Sequence, residues 1–214
     1  MNEMRKGLLA IFVGFILLAC GDGDVLIQED PRIQFIKDST LIIDYLNENG
    51  YDESQIGNTP SGIRYVILDS GDMVSIDESD IVTYDYVGKF LSDSVFDTSI
   101  EVIGDSVRMA LLEDSVGLSD KSVHEAYLIQ FPEEREYKPL VITYTSNGWT
   151  SPSGDGVVDG FFEGMEATLK YLKTGGEVLI VVPSAEAYGI NGRGLIPPNT
   201  VLAFNILPVS VTKQ

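Results

Sequence analysis

The sequence predicts an α+β domain in which a curved antiparallel β-sheet wraps around one short α-helix, and three observations predict it. From Gly62 onward the chain falls into short β-type runs: "GIRYVILDSG", "DIVTYDYVGKFL", "KPLVITYT", "EVLIVVP" and "TVLAFNILPVSV". Within them Val82, Tyr84 and Tyr86 alternate onto one face, as do Leu202, Phe204 and Ile206, the period-two mark of a sheet. Among these runs stands a single clear helix between Gly160 and Gly176, with Phe161, Met165, Leu169 and Leu172 on one stripe and Gly175-Gly176 as its stop. A lone amphipathic helix among strands must bury its stripe against the sheet.

The elements before Gly62 are of a different kind. "MNEMRKGLLAIFVGFILLAC" opens with Arg5 and Lys6 and continues in an apolar run too short to span a bilayer, as an export signal does. It ends in Leu17-Leu18-Ala19-Cys20, which resembles the bacterial lipobox, where the cysteine is acylated and becomes the mature N-terminus. Residues 1–19 are therefore expected as a lipoprotein signal peptide, and their loss makes the chain one unit more negative than its formal −19. The acidic "GDGDVLIQED" supplies a tether over 20–30. A helical extension over 31–60 follows. Asp30-Pro31 marks one helix start and Asp38 a second, Ile33, Ile36, Leu41, Ile42, Tyr45 and Leu46 recur at helical spacing, and Gly50 is the stop. The polar link "YDESQIGNTPSG" leads into the main domain, 61–214.

Composition excludes several function classes. With 14 Lys plus Arg against 33 Asp plus Glu, the chain repels phosphate backbones, so nucleic acid is not an expected partner. One cysteine and one histidine, Cys20 and His124, leave no Cys/His metal set and no histidine-based triad beyond what His124 alone could offer. No cofactor and no metal are expected. The stretch 100–137 reads as an insert with helices near Val107–Leu112 and Ser122–Ile129, and "SNGWTSPSGDG" at 146–156 as a loop with Trp149 at the rim of any pocket beside it.

Three ordered pieces carry chemistry: "YDYVGKFLSDSVFDTS", "VVDGFFEGMEATLKYLKTGGEVLIVVPSAEAYG" and "GLIPPNTVLAFNILPVSV". Together they resemble the FKBP family of peptidyl-prolyl cis-trans isomerases. The resemblance runs from about Gly62 to Val211 around the insert and implies an FKBP-like fold. It also implies an aromatic pocket for a prolyl ring. As catalytic residues it implies Tyr86, Phe96, Asp97, Val158 and Tyr188, and as substrate-binding residues Val157, Phe161, Leu195, Ile196, Phe204 and Leu140. Phe161 stands where the family usually has tryptophan, and Leu140 where an aromatic is common. Read singly, Phe96, Phe161 and Phe204 are ordinary core residues.

These residue types suit the chemistry. The barrier to rotating an Xaa-Pro bond comes from amide resonance, so a catalyst needs no nucleophile. It must strip water from the planar, charge-separated amide and hold the twisted one. The implied partners are proline-containing polypeptides and, through Cys20, a membrane. The implied place is the bacterial cell envelope, lipid-anchored on a periplasmic or outer-membrane face. A peptide-binding or chaperone module without useful turnover is the alternative.

Overall fold

Strand β3, Ile81–Phe90, organises the sheet because it is long enough to pair with three neighbours. The computed structural model describes residues 30–113, 121–145, 148–151 and 158–214. Along one edge β3 runs its full length against β8, Leu202–Thr212. Along the other edge its first half, Ile81–Tyr84, pairs with β5, Leu140–Thr145, and its second half, Val87–Lys89, with β4, Val95–Thr98. The edge thus forks at Tyr86. There Ser99 takes over from a strand neighbour, its hydroxyl accepting the Tyr86 N–H at 2.9 Å and its own N–H reaching the Tyr86 carbonyl at 3.1 Å.

The remaining strands are β1, Ile56–Asn58, β2, Arg64–Asp69, β6, Gly148–Thr150, and β7, Glu177–Val182. All pairings are antiparallel, in the order β1-β2-β7-β8-β3-β5-β6, with β4 on the forked edge. The five expected strand runs are all present. Three short strands are additional. β1 lies inside the stretch expected as a polar link, β4 carries "FDT", and β6 replaces part of the expected loop, its Trp149 packing on Tyr144 at 4.9 Å between centroids.

Helix α4, Asp159–Thr168, crosses the inner face and buries Phe161 and Met165. A 3-10 turn continues it to Tyr171, adding Leu169 and Leu172 to the same core with Val82, Tyr84, Ile180 and Ile206. The expected stop at Gly175-Gly176 is corrected: the helical path breaks at Leu172, whose ψ of 145° is already extended. The glycine pair instead lets β7 begin against β2. A Cβ on Gly176 would stand 2.7 Å from the Asp69 carbonyl oxygen.

Helix α1, Pro31–Glu48, is one continuous helix, capped by the Asp30 carboxylate on the Arg32 N–H at 2.9 Å. Asp38 is therefore not a second helix start. The helix lies on the outer face of the sheet, where Ile42, Tyr45 and Leu46 pack on Val66, Leu179, Val181, Val201 and Ala203. This explains why β7 and the start of β8 read as continuous apolar runs: both of their faces are covered.

Helices α2, Glu101–Leu112, and α3, Lys121–Gln130, are the insert. They start earlier or run slightly longer than periodicity suggested. Leu111, Tyr127 and Phe131 form a small core of their own that leans on Phe90, Val95 and Leu195, so the insert seats itself against the forked edge. Among the described residues, no helix is long and apolar enough to cross a membrane.

Candidate active site

A cavity of about 290 Å³ opens where the edge of β3 forks. Its floor is a chain of rings built by period-two strands and one helix turn. Phe96 of β4 meets Phe204 of β8 edge to face at 5.8 Å, and Phe204 meets Phe161 of α4 the same way at 5.5 Å. Such T-shaped pairs set positive ring edges against negative faces, which fixes the rings as well as burying them. Gly88 makes room for this arrangement, since a Cβ there would stand 2.7 Å from the Phe96 ring. Val158, at the N-cap of α4, and Ile196 close the apolar sides, both buried.

The β7–β8 connection forms one wall. Gly189, Gly192 and Gly194 all take positive φ, and the requirement is strict at Gly192, where a Cβ would lie 2.3 Å from the Ile196 carbonyl oxygen. Arg193 and Ile196 exchange two backbone hydrogen bonds of 2.8 Å, and Asn199 N–H reaches the Gly189 carbonyl at 2.8 Å. The loop is thereby folded on itself. Tyr188 and Ile196, near its two ends, both face the cavity.

The polar wall is a network centred on Asp97. Its Oδ2 accepts the Tyr86 hydroxyl at 2.9 Å, and its Oδ1 accepts the Thr98 N–H at 2.9 Å and the Arg135 guanidinium. Arg135 also donates to the Gln130 carbonyl at 2.6 Å and the Thr98 carbonyl at 3.2 Å, and its guanidinium lies 5.0 Å from the Phe131 ring centre. Both carboxylate oxygens are already engaged, so Asp97 is arranged as a fixed acceptor.

Burial, reinforced by the neighbouring Asp97 charge and hydrogen bond, pushes the Tyr86 phenol well above its ordinary value. Burial also raises Tyr188, against a pull downward from the adjacent Arg193. Neither phenol therefore titrates near neutrality. We expect any rate that depends on this cavity to be flat from about pH 6 to 8, and a bell in that range would contradict the arrangement. Stability follows the same sign. A phenol raised on folding contributes stability that is complete below its unfolded value of about 10 and is lost as pH climbs toward the folded one. Tyr45 of α1, raised to about 12 by burial and by Asp93, extends that window to the outer face. Resistance to thermal unfolding should accordingly fall above about pH 10, and less so in Tyr45→Phe.

Of the residues singled out in the sequence, Tyr86, Phe96, Asp97, Leu140, Val158, Phe161, Tyr188, Leu195, Ile196 and Phe204 line this one cavity. Val157 and Cys20 lie outside the described residues, as do the segment expected as a signal peptide and all of the expected tether but Asp30. Trp149 is not among the lining residues. Sequence reasoning missed Gln130, Arg193 and Gly194 in the wall and Arg135 behind Asp97. Arg193 and Gly194 stand inside a quoted motif, whereas Gln130 and Arg135 come from the insert, which no motif covers.

Parts of the chain are similar to known proteins. Residues 152–207 match the family described as FKBP-type peptidyl-prolyl cis-trans isomerase. The chain is 27% identical over 157 residues to the FKBP-type peptidyl-prolyl cis-trans isomerase FkpA of Buchnera aphidicola, covering 73% of this chain and 43% of that one. It is 44% identical over 52 residues to FkpA of Escherichia coli strain K12, covering 24% of this chain and 18% of that one. The chain thus spans less than half the length of these curated relatives. Among solved structures, a peptidyl-prolyl cis-trans isomerase from Pseudomonas syringae pv. tomato DC3000 aligns over 87% of this chain and 98% of its own, with 19% identity and a TM-score of 0.48. FkpA from Escherichia coli aligns over 85% of this chain and 64% of its own, with 23% identity and a TM-score of 0.44. The matched segment carries α4, β7, the glycine-bent loop and most of β8, and over that segment the chain is similar to the FKBP-type peptidyl-prolyl cis-trans isomerase family.

Proposed function

We propose that this chain catalyses cis-trans isomerisation of Xaa-Pro bonds in polypeptides. The observation that carries the reading is the join of a ring-floored cup, Phe96, Phe161 and Phe204, to a fixed polar wall, Tyr86-Asp97-Arg135. The cup takes the prolyl ring and excludes water, which removes solvent support from the charge-separated planar amide and leaves the twisted amide relatively favoured. Tyr188 donates its hydroxyl to one substrate carbonyl and the Val158 N–H to another. These two contacts orient the peptide while the C–N bond rotates. Leu140, Leu195 and Ile196 complete the apolar grip, and no bond to the enzyme forms.

A refolding reaction limited by proline isomerisation checks this directly. The purified chain should accelerate it in proportion to its concentration, and Tyr188→Phe and Phe96→Ala should each lower that acceleration by about tenfold. No acceleration, or variants equal to the parent, would reject the reading.

The export-type segment and Leu17-Leu18-Ala19-Cys20 support placing the protein in a bacterial envelope, acylated at Cys20, with exported chains as clients. A second reading, a peptide-binding module without turnover, draws on Phe161 in place of a larger ring and on the insert's Gln130 in the cavity wall. Binding of a prolyl peptide without rate enhancement would select it.

A further inference from the structure

Asp38 is a carboxylate with no exposed surface, placed on the otherwise apolar buried face of α1 and remote from the cavity residues in sequence. Its Oδ2 accepts two hydrogen bonds from one residue, the Ser184 N–H at 2.8 Å and the Ser184 hydroxyl at 2.6 Å, while Oδ1 accepts the Gln34 side-chain amide at 2.7 Å. Ser184 is equally buried and opens the short turn Ser184–Glu186 that follows β7. The Ala187 N–H closes that turn onto the Ser184 carbonyl at 3.1 Å, and Tyr188 comes next. The turn's far side presses on the first turn of α4. A Cβ on Gly160 would stand 2.8 Å from the Glu186 carbonyl oxygen and 2.4 Å from Val182. Gly160 lies between Val158 and Phe161 in sequence, so one turn touches both the base of the Tyr188 loop and the helix end that supplies the rest of the cup.

Burying a carboxylate costs several kcal/mol unless every oxygen is paired, and a well-packed apolar residue commonly does as well for stability. A polar side chain spent on that face therefore argues for geometry. We infer that Asp38 is a positioning residue of the isomerase site: through Ser184 it pins the turn that sets Tyr188 in register with Val158 and Phe161. On this inference, which rests on the isomerase reading above, the N-terminal helix is part of the site's support and not an appendage.

The experiment measures isomerisation of a prolyl tetrapeptide by the full chain and its variants Asp38→Asn, Asp38→Ala, Ser184→Ala and Tyr188→Phe, with the double variant Ser184→Ala/Tyr188→Phe. Ser184→Ala is expected to lower kcat about tenfold with KM changed less than about twofold, because a small misplacement of an orienting group acts on turnover. Asp38→Asn, whose amide oxygen still accepts from Ser184, should retain most of the rate. Adding Ser184→Ala to Tyr188→Phe should cost less than about twofold more, since the group being positioned is already gone. A parental rate in Ser184→Ala, or the same loss in both backgrounds, overturns the inference and leaves the contact structural only. If Asp38→Ala does not fold, Ser184→Ala still decides, because it keeps the backbone hydrogen bond. If the parent itself does not isomerise, the isomerase reading fails separately, and the amide chemical shifts of Tyr188 and Gly189 decide the positioning claim: displaced in Ser184→Ala they support it, unmoved they overturn it.

Discussion

Asp97→Ala is expected to abolish most isomerase activity and to lower stability by about 1–3 kcal/mol, the two losses having one cause. Asp97 neutralises Arg135, whose side chain is only 17% exposed, and takes the Tyr86 hydroxyl at the cavity wall. Removing the carboxylate takes the counter-charge from a largely buried cation, which keeps only its carbonyl acceptors, and the acceptor from a phenol, and truncating one partner of such a pair costs more than the pair ever contributed. The cavity also gains a positive charge and the water that follows it, which on the proposed mechanism restores the solvation of the planar amide. Asp97→Asn separates the two effects. It keeps an acceptor for Tyr86 but not the charge for Arg135, so it should recover more rate than stability. Denaturant unfolding with prolyl-peptide kinetics on the same preparations reads both. Activity within about twofold of the parent in Asp97→Ala would mean that the polar wall takes no part in turnover.

The reach of the sequence into this site has a physical boundary. Strands with one buried face, and a helix with one apolar stripe, write their partners into their periodicity. For that reason the faces of Val82 and Tyr84, of Phe204 and Ile206, and of Phe161 and Met165 are legible from spacing alone. The glycine and proline positions of the β7–β8 loop are legible for a related reason, since positive φ at Gly192 admits little else. Contacts between elements distant in the chain leave no such mark. Arg135 reaches Asp97 only because α2 and α3 fold back onto the forked edge, and nothing in "EEREYKPL" encodes that return. Asp38 misled for an instructive reason. Asp is a common N-cap, so a helical pattern with Asp inside it reads as a new start, whereas here the carboxylate satisfies a turn 146 residues away.

The two faces of the sheet also divide the work. α4 on the inner face supplies part of the cup, and α1 on the outer face covers β7 and β8 from behind. Since β8 carries Phe204 inward and Ala203 outward, a shift of α1 is felt by the ring floor through a single strand. This makes the support of the cavity longer than the cavity, and it is the reason that the motif-bearing segment 152–207 does not contain everything that holds its own residues in place.

Phe161→Leu should be the most damaging change to the apolar floor of the cavity that still leaves a folded protein. Phe161 is 2% exposed and meets Phe204 at 89° and Phe162 at 84°, so the ring is clamped from two sides and cannot be replaced by a neighbour swinging in. Leucine fills most of the volume, which limits the stability cost to about 1–2 kcal/mol, against roughly 3–5 kcal/mol for truncation to alanine. What leucine cannot supply is the flat face on which the proposed mechanism lays a prolyl ring. The branched end also opens a gap between Phe204 and the substrate, and that gap admits water or weakens dispersion contact with the ring. We therefore expect kcat/KM to fall by about 30-fold or more, with the loss divided between weaker binding and slower rotation. Phe161→Trp runs the comparison the other way: it enlarges the floor in a core with little slack, so it should destabilise by about 1–3 kcal/mol and gain activity only where Phe162 can yield. Isomerisation kinetics and urea unfolding of the two variants against the parent decide the point, because a floor that serves only as core would let Phe161→Leu turn over at the parental rate.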